Sequence, residues 1–236
     1  MRNVRFVLLF LCMMIFIVPL PGAVVAGGNG GLIIAGFDSG EMEKGAPEGW
    51  ELIEKEGTAD LDLERNGNRY VLHMKSNGDS SFGIKRGKSL KIKEYPFLNW
   101  EWKVAKLPAG ADVRKADADD QAIQVYVAFK PDGWPAKLNT PVIGYIWGTE
   151  CPKDTVVTSQ QPLAGKVRYI VLRNKNDMLN TWYYEKRNLE DDYEKLFPDI
   201  DGGTPRDIEG VVLYINSHHT KSTAESYIYN VRFSRD

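Results

Sequence analysis

Between Asp120 and Phe129 the chain reads DQAIQVYVAF. Ile123, Val125, Val127 and Phe129 recur at every second position, and Asp120, Ala122, Gln124, Tyr126 and Ala128 fall between them. A period of two is the mark of a β-strand with two unlike faces. Comparable short runs occur near 32–37, 49–53, 58–64, 69–75, 80–85, 88–93, 97–104, 142–148, 166–173, 181–187, 207–215 and 225–234, broken by Gly, Pro, Asn and Asp. Many short strands at this spacing predict an all-β fold, a β-sandwich of jelly-roll type, rather than alternating βα units.

Two Asn-Gly pairs, in RNGNRY (65–70) and SNGDSS (76–81), are turn signals and predict hairpins between the strands that flank them. One short helix is expected near 188–197. There Asn188 can cap, Glu190 and Asp191 suit the positive N-terminal end, and Leu189, Tyr193 and Leu196 share a face before Pro198 stops it. The longer loops are expected at 105–119, 130–141, 149–165 and 198–206. Loops on a rigid scaffold are where binding groups concentrate.

The N-terminus is set apart. Arg2 and Arg5 precede the apolar run Phe6–Leu20, and small residues follow to Ala26, the order of a secretory signal peptide spanning residues 1–26. The run is shorter than the roughly 20 residues a membrane span needs, so no membrane span is expected in the mature chain. Residues 27–31, GGNGG, are expected as a flexible leader and 32–236 as a single β-sandwich domain. An exported protein, periplasmic or secreted, is the expectation. The net charge of −2 gives no bulk attraction to nucleic acid. Cys151 is the only cysteine beyond the signal, so no internal disulfide can form, and a buried, inert thiol is expected.

The two faces of each strand carry the functional expectation. In 207–215, Val211, Leu213 and Ile215 oppose Val212, Tyr214 and Asn216. In 166–173, Arg168, Ile170 and Leu172 oppose Val167, Tyr169, Val171 and Arg173. In 142–148, Val142, Gly144 and Ile146 oppose Ile143, Tyr145 and Trp147. In FLNWEWKV (97–104), Trp100 and Trp102 point one way, into the core, and Glu101 the other. One face is aliphatic and the other mixes Tyr, Trp, Gln, Glu and Arg. Such a mixed face is the composition of a cleft that stacks flat rings and hydrogen-bonds hydroxyl groups. The expected ligand-binding residues are Glu101, Gln124, Tyr126, Tyr145, Trp147, Tyr169 and Arg173, with an oligosaccharide or polysaccharide as partner. The same residues would arise if a loop or helix simply covered that face.

Other clusters carry less. Asp60, Asp62 and Glu64 of DLDLE alternate on one strand, similar to the carboxylate strand of retaining jelly-roll glucanases, where two acids stand about 5 Å apart. The first position here is Asp rather than Glu. Asp117, Asp119 and Asp120 of DADD could supply oxygens to a structural calcium ion, although no EF-hand pattern is present. No other cofactor is expected. The histidines are His73, His218 and His219, and no His-x-x-x-His or Cys-x-x-Cys spacing supports zinc. In an extended chain His218 and His219 would point to opposite faces.

FLNWEWKV, LPAGADVRKADADDQAIQVYVAF, GYIWG, VRYIVLRN, WYYEKRNLEDDYEKLFPD and GVVLYINSHHT follow one another in this order. Together they resemble the secreted bacterial domain-of-unknown-function 3047 family over roughly 37–233. The resemblance implies a signal-bearing, single-domain jelly roll related to galactose-binding-like and carbohydrate-binding modules, and no established activity. Members often carry carboxylates in the segment that here reads NSHHT; Asn216 and His218 depart from that pattern. The functional expectation is an exported, non-catalytic protein that binds a glycan or related polar ligand in an aromatic-lined cleft. The alternatives are a polysaccharide lyase or glycoside hydrolase on the same fold, and a structural envelope protein without a small ligand. N-terminal sequencing of envelope protein is expected to find a mature terminus within a few residues of Gly27. An intact Met1 on a cytoplasmic species would remove the export expectation.

Overall fold

A computed structural model describes residues 26–27 and 31–236. The expected signal peptide falls on residues outside these, apart from Ala26. The strands are β1 (Ala26–Gly27), β2 (Gly31–Ala35), β3 (Met42–Glu43), β4 (Ala46–Pro47), β5 (Glu51–Glu56), β6 (Leu61–Asn66), β7 (Arg69–Ser76) and β8 (Ser81–Leu90). They continue as β9 (Phe97–Lys106), β10 (Gln121–Phe129), β11 (Val142–Trp147), β12 (Val156–Thr158), β13 (Val167–Arg173), β14 (Tyr183–Asn188), β15 (Ile208–Asn216) and β16 (Ala224–Ser234). The helices are α1 (Ala136–Asn139) and α2 (Leu189–Leu196). Among the described residues no helix is long and apolar enough to cross a membrane.

Two seven-stranded sheets face each other. In the first, β16 is central, with β9 and then β14 on one side, and β7–β6 and β2–β1 on the other. The second runs β12-β13-β11-β10-β15-β8-β5, antiparallel except for the β11–β13 pair. This is the jelly-roll sandwich that the alternation predicts. The expected strands at 80–85 and 88–93 are one continuous strand, β8, because Gly87 pairs with Gly210 and carries the chain through without a turn.

RNGNRY makes its hairpin: Asn66 pairs with Arg69, and Gly67 takes a positive φ of 65°. SNGDSS does not. The strand before it, β7, belongs to the first sheet and the strand after it, β8, to the second, so the turn carries the chain across the sandwich. Its corner is pinned from elsewhere. Ser217 Oγ lies 2.6 Å from Ser76 Oγ and accepts the Gly78 N–H at 3.0 Å. A turn signal sets the local bend; long-range partners decide which sheet receives the next strand.

Trp100 and Trp102 enter the core from the first sheet and are fully buried, as their parity predicts. The rings of the two are edge-on at 5.4 Å. Facing them from the second sheet are Tyr145, 5.2 Å from Trp100, and Trp147, 5.8 Å from Trp102. The expected helix is α2, where Asn188 Oδ1 accepts the Glu190 N–H at 3.1 Å and Leu189, Tyr193 and Leu196 are buried. Trp102→Ala and Trp147→Ala are each expected to destabilise the fold by about 3–5 kcal/mol, the cost of emptying a large aromatic site. Denaturant melts measure this, and a loss below about 1 kcal/mol would contradict core placement.

Candidate functional site: a tyrosine cleft on the second sheet

The outer face of the second sheet holds the site. On β10, Tyr126 pairs with Gly144 of β11, which in turn pairs with Tyr169 of β13. One strand further, Gln124 pairs with Tyr214 of β15, and Tyr214 with Gly83 of β8. Both glycines are needed for space. A Cβ on Gly144 would lie 2.7 Å from the Tyr169 ring and 2.9 Å from the Tyr126 ring. A Cβ on Gly83 would lie 2.2 Å from the Leu213 carbonyl oxygen. With no side chain at either position, Tyr126 lies between Tyr169, at 6.1 Å between ring centroids, and Tyr214, at 6.3 Å.

A polar chain runs along the floor of the cleft. Gln121 Nε2 donates to Asp119 Oδ1 at 2.8 Å, Gln124 Nε2 donates to Gln121 Oε1, and Tyr126 donates its hydroxyl to Gln124 Oε1. From the loop before β13, Gln161 Nε2 donates to Asp119 Oδ2 at 3.1 Å. Burial raises the Asp119 pKa, opposed by the hydrogen bonds from Gln121 and Gln161. The cleft itself holds about 70 Å³, within about 550 Å³ of space that includes open solvent. Tyr126, Tyr169 and Tyr214 are buried, at 8, 4 and 5% exposure, so only a small part of each ring is open to a ligand beside the amides and the one carboxylate.

The expected site residues do not all meet here. Gln124, Tyr126 and Tyr169 do. Tyr145 and Trp147 are instead wholly buried between the sheets. Both faces of β11 are covered, so alternation alone does not say which set faces outward; the glycine, not the aromatics, marks the cleft side. Glu101 is on the outer face of the other sheet, where it accepts from the Tyr229 hydroxyl and from Asn230 Nδ2 at 3.1 Å. Arg173 follows a register shift at the end of β13. It donates to Glu185 at 2.6 Å and Asp177 at 3.1 Å, and lies 3.7 Å over the Tyr183 ring. Tyr214, Gln121 and His219 belong to the lining and were not expected. Tyr214 carried the right signal, since it lies on the mixed face of its strand.

Asp117, Asp119 and Asp120, the expected calcium ligands, have separate surroundings. Asp117 is exposed, Asp119 lines the cleft, and Asp120 accepts from the Thr220 N–H at 2.6 Å and the Thr220 hydroxyl at 2.7 Å. The His218–His219 pair lies in the turn after β15 rather than in an extended strand. The rings are therefore not on opposite faces but 3.9 Å apart. Burial, then the neighbouring His219, lowers the His218 pKa. On the first sheet, Asp62 and Glu64 of DLDLE meet His73 Nδ1 at 3.2 and 2.9 Å, and Glu225 meets its Nε2 at 3.0 Å. Cys151 is buried, as expected, and burial raises its pKa.

Residues 48–232 match the family described as "Protein of unknown function (DUF3047)". The chain belongs to the DUF3047 family. No curated protein matches it. Among solved structures it is similar to the family 11 carbohydrate-binding module of the cellulosomal cellulase Lic26A-Cel5E of Clostridium thermocellum, at 10% identity and TM-score 0.46, over 88% of this chain and 96% of that one. It is also similar to a family 28 module specific for non-crystalline cellulose, at 16% identity and TM-score 0.39, over 82% and 92%. A third is the xyloglucanase domain of NopAA from Sinorhizobium fredii, at 10% identity and TM-score 0.42, over 79% and 94%.

In this DUF3047 chain the cleft depends on its two glycines, and they should differ. Gly144→Ala meets side-chain rings that can shift, so a loss of about 1–3 kcal/mol is expected. Gly83→Ala meets a backbone carbonyl and should cost more. Paired denaturant melts check the order; a larger loss at Gly144 would mean the tyrosine rings cannot move.

Proposed function

We propose that the protein is an exported, non-catalytic binder of a glycan, held in the cleft of Tyr126, Tyr169 and Tyr214. The observation that carries the reading is the arrangement of three tyrosines around Gly83 and Gly144 on five neighbouring strands, with a line of amides beside them. Sugar rings offer one apolar face for stacking and a rim of hydroxyl groups for amide pairing, which matches both halves of that arrangement. Export rests on the charged, apolar, small-residue order of residues 1–26.

Hydrolysis is less well supported than binding. A glycosidase uses two carboxyl groups about 5–9.5 Å apart. Among the described residues lining the cleft, Asp119 is the only carboxylate, and amides bond both of its oxygens.

A glycan array on the purified protein, followed by calorimetric titration of the strongest hit, tests the reading. Tyr126→Ala and Tyr169→Ala are each expected to weaken binding at least about tenfold, roughly 1.4 kcal/mol. Glu101→Gln, on the opposite sheet, should leave affinity unchanged. An array without hits, or tyrosine variants that bind like the wild type, would overturn the proposal. Shortening of the bound glycan, lost in Asp119→Asn while binding persists, would put an enzyme in its place.

A further inference from the structure

At the end of the cleft the NSHHT turn brings His218 and His219 beside Asp120. One ligand atom each of Asp120, His218 and His219 lies within 4.8 Å of the others. Asp120 is buried and both histidines are half-buried. His219 also forms part of the cleft wall.

The surroundings orient each group. Asn216 Nδ2 donates to the Asp119 carbonyl oxygen at 2.8 Å, which turns its Oδ1 toward His218. That oxygen lies 2.8 Å from His218 Nδ1. An oxygen acceptor there requires Nδ1 to carry the proton, so neutral His218 presents the lone pair of Nε2. A partner on one ring nitrogen that leaves the other free is the usual support of a metal-binding histidine. Thr220 does the same for Asp120. Its N–H and hydroxyl hold Oδ2 at 2.6 and 2.7 Å, while among the described residues Oδ1 receives the His219 N–H alone, at 3.3 Å, and keeps lone-pair capacity.

Charge points the same way. Asp119 and Asp120 are neighbouring buried carboxylates whose hydrogen-bond donors among the described residues are amides and a hydroxyl, with Lys55 the one lysine lining the cleft beside them. A buried carboxylate favours a nearby cation. Two imidazoles and one carboxylate select a borderline-soft transition metal over calcium or magnesium, which prefer all-oxygen ligands.

We propose that Asp120, His218 and His219 form a binding site for a divalent transition-metal cation of the zinc type. Three protein ligands leave a fourth tetrahedral position open, as catalytic or ligand-binding zinc sites do. The site adjoins the glycan cleft through His219, but none of the three stacking tyrosines takes part, so metal binding is tested without a glycan. The other histidine cluster, at His73, serves as the internal comparison.

The test titrates chelator-treated protein with Zn²⁺ by calorimetry and with Co²⁺ by visible absorption. One equivalent is expected to bind. His218→Gln and His219→Gln should each weaken zinc binding at least about tenfold and abolish the cobalt band, as loss of a ligand does, while His73→Gln binds like the wild type. Melting of the metal-free variants checks that they fold. In the wild type, the imidazole NMR signals of His218 and His219 should shift on zinc addition and those of His73 should not, a readout that needs no substitution. No binding by the wild type, wild-type affinity in folded His218→Gln and His219→Gln, or zinc shifts confined to His73 would overturn the proposal.

Discussion

Four large aromatic rings lock the two sheets of this protein together. Trp100 and Trp102 descend from β9, and Tyr145 and Trp147 rise from β11 to meet them. Burying rings of this size contributes more than any polar pair in the structure, but their polar atoms also need partners. Trp102 Nε1 donates to Glu185 at 3.1 Å, Trp147 Nε1 to the Asn174 carbonyl at 3.3 Å, and the Tyr145 hydroxyl to Asp192 at 2.7 Å. Trp100 Nε1 has no partner among the described residues. An unmet donor costs about 1–3 kcal/mol, less than the ring contributes by packing.

Those partners tie the periphery to the core. Glu185 sits on β14 and also accepts from Arg173 at the end of β13. Asp192 sits on α2 and also accepts from Arg187 at 2.9 Å. The acceptors that satisfy the central rings thus fix the edge strand of the first sheet and the helix beside it. The same need explains the Tyr145 hydroxyl, whose pKa is raised well above the ordinary value by burial and then by Asp192.

With the largest aromatics committed to the interior, the outer face of the second sheet has a different composition. Tyrosines stand beside glycines, so the rings can lie along the sheet instead of being propped upright by neighbours. The cleft is a consequence of how β11 is oriented. Turning Tyr145 and Trp147 inward turns Gly144 outward, and Gly144 makes the room that Tyr126 and Tyr169 share.

Alternation within single strands was enough to determine the fold class, the inward direction of Trp100 and Trp102, the capped helix at Asn188, and the cleft positions of Gln124, Tyr126 and Tyr169. In each case polarity differs between the two faces of one strand or helix, and a local pattern carries that information. The orientation of β11 was not legible, because a central strand covered on both sides has two apolar faces and parity loses its meaning. Glu101 and Arg173 failed for other reasons: strand order puts Glu101 on the opposite sheet, and the register shift before Arg173 pairs it with the inward-facing Trp147 instead of leaving it on the side of Gln124. Pairing between strands distant in sequence decided that, as it decided that SNGDSS crosses between sheets. The meeting of Asp120 with His218 and His219 likewise required the end of β15 to fall beside the start of β10, a contact between residues about a hundred positions apart that no local periodicity encodes.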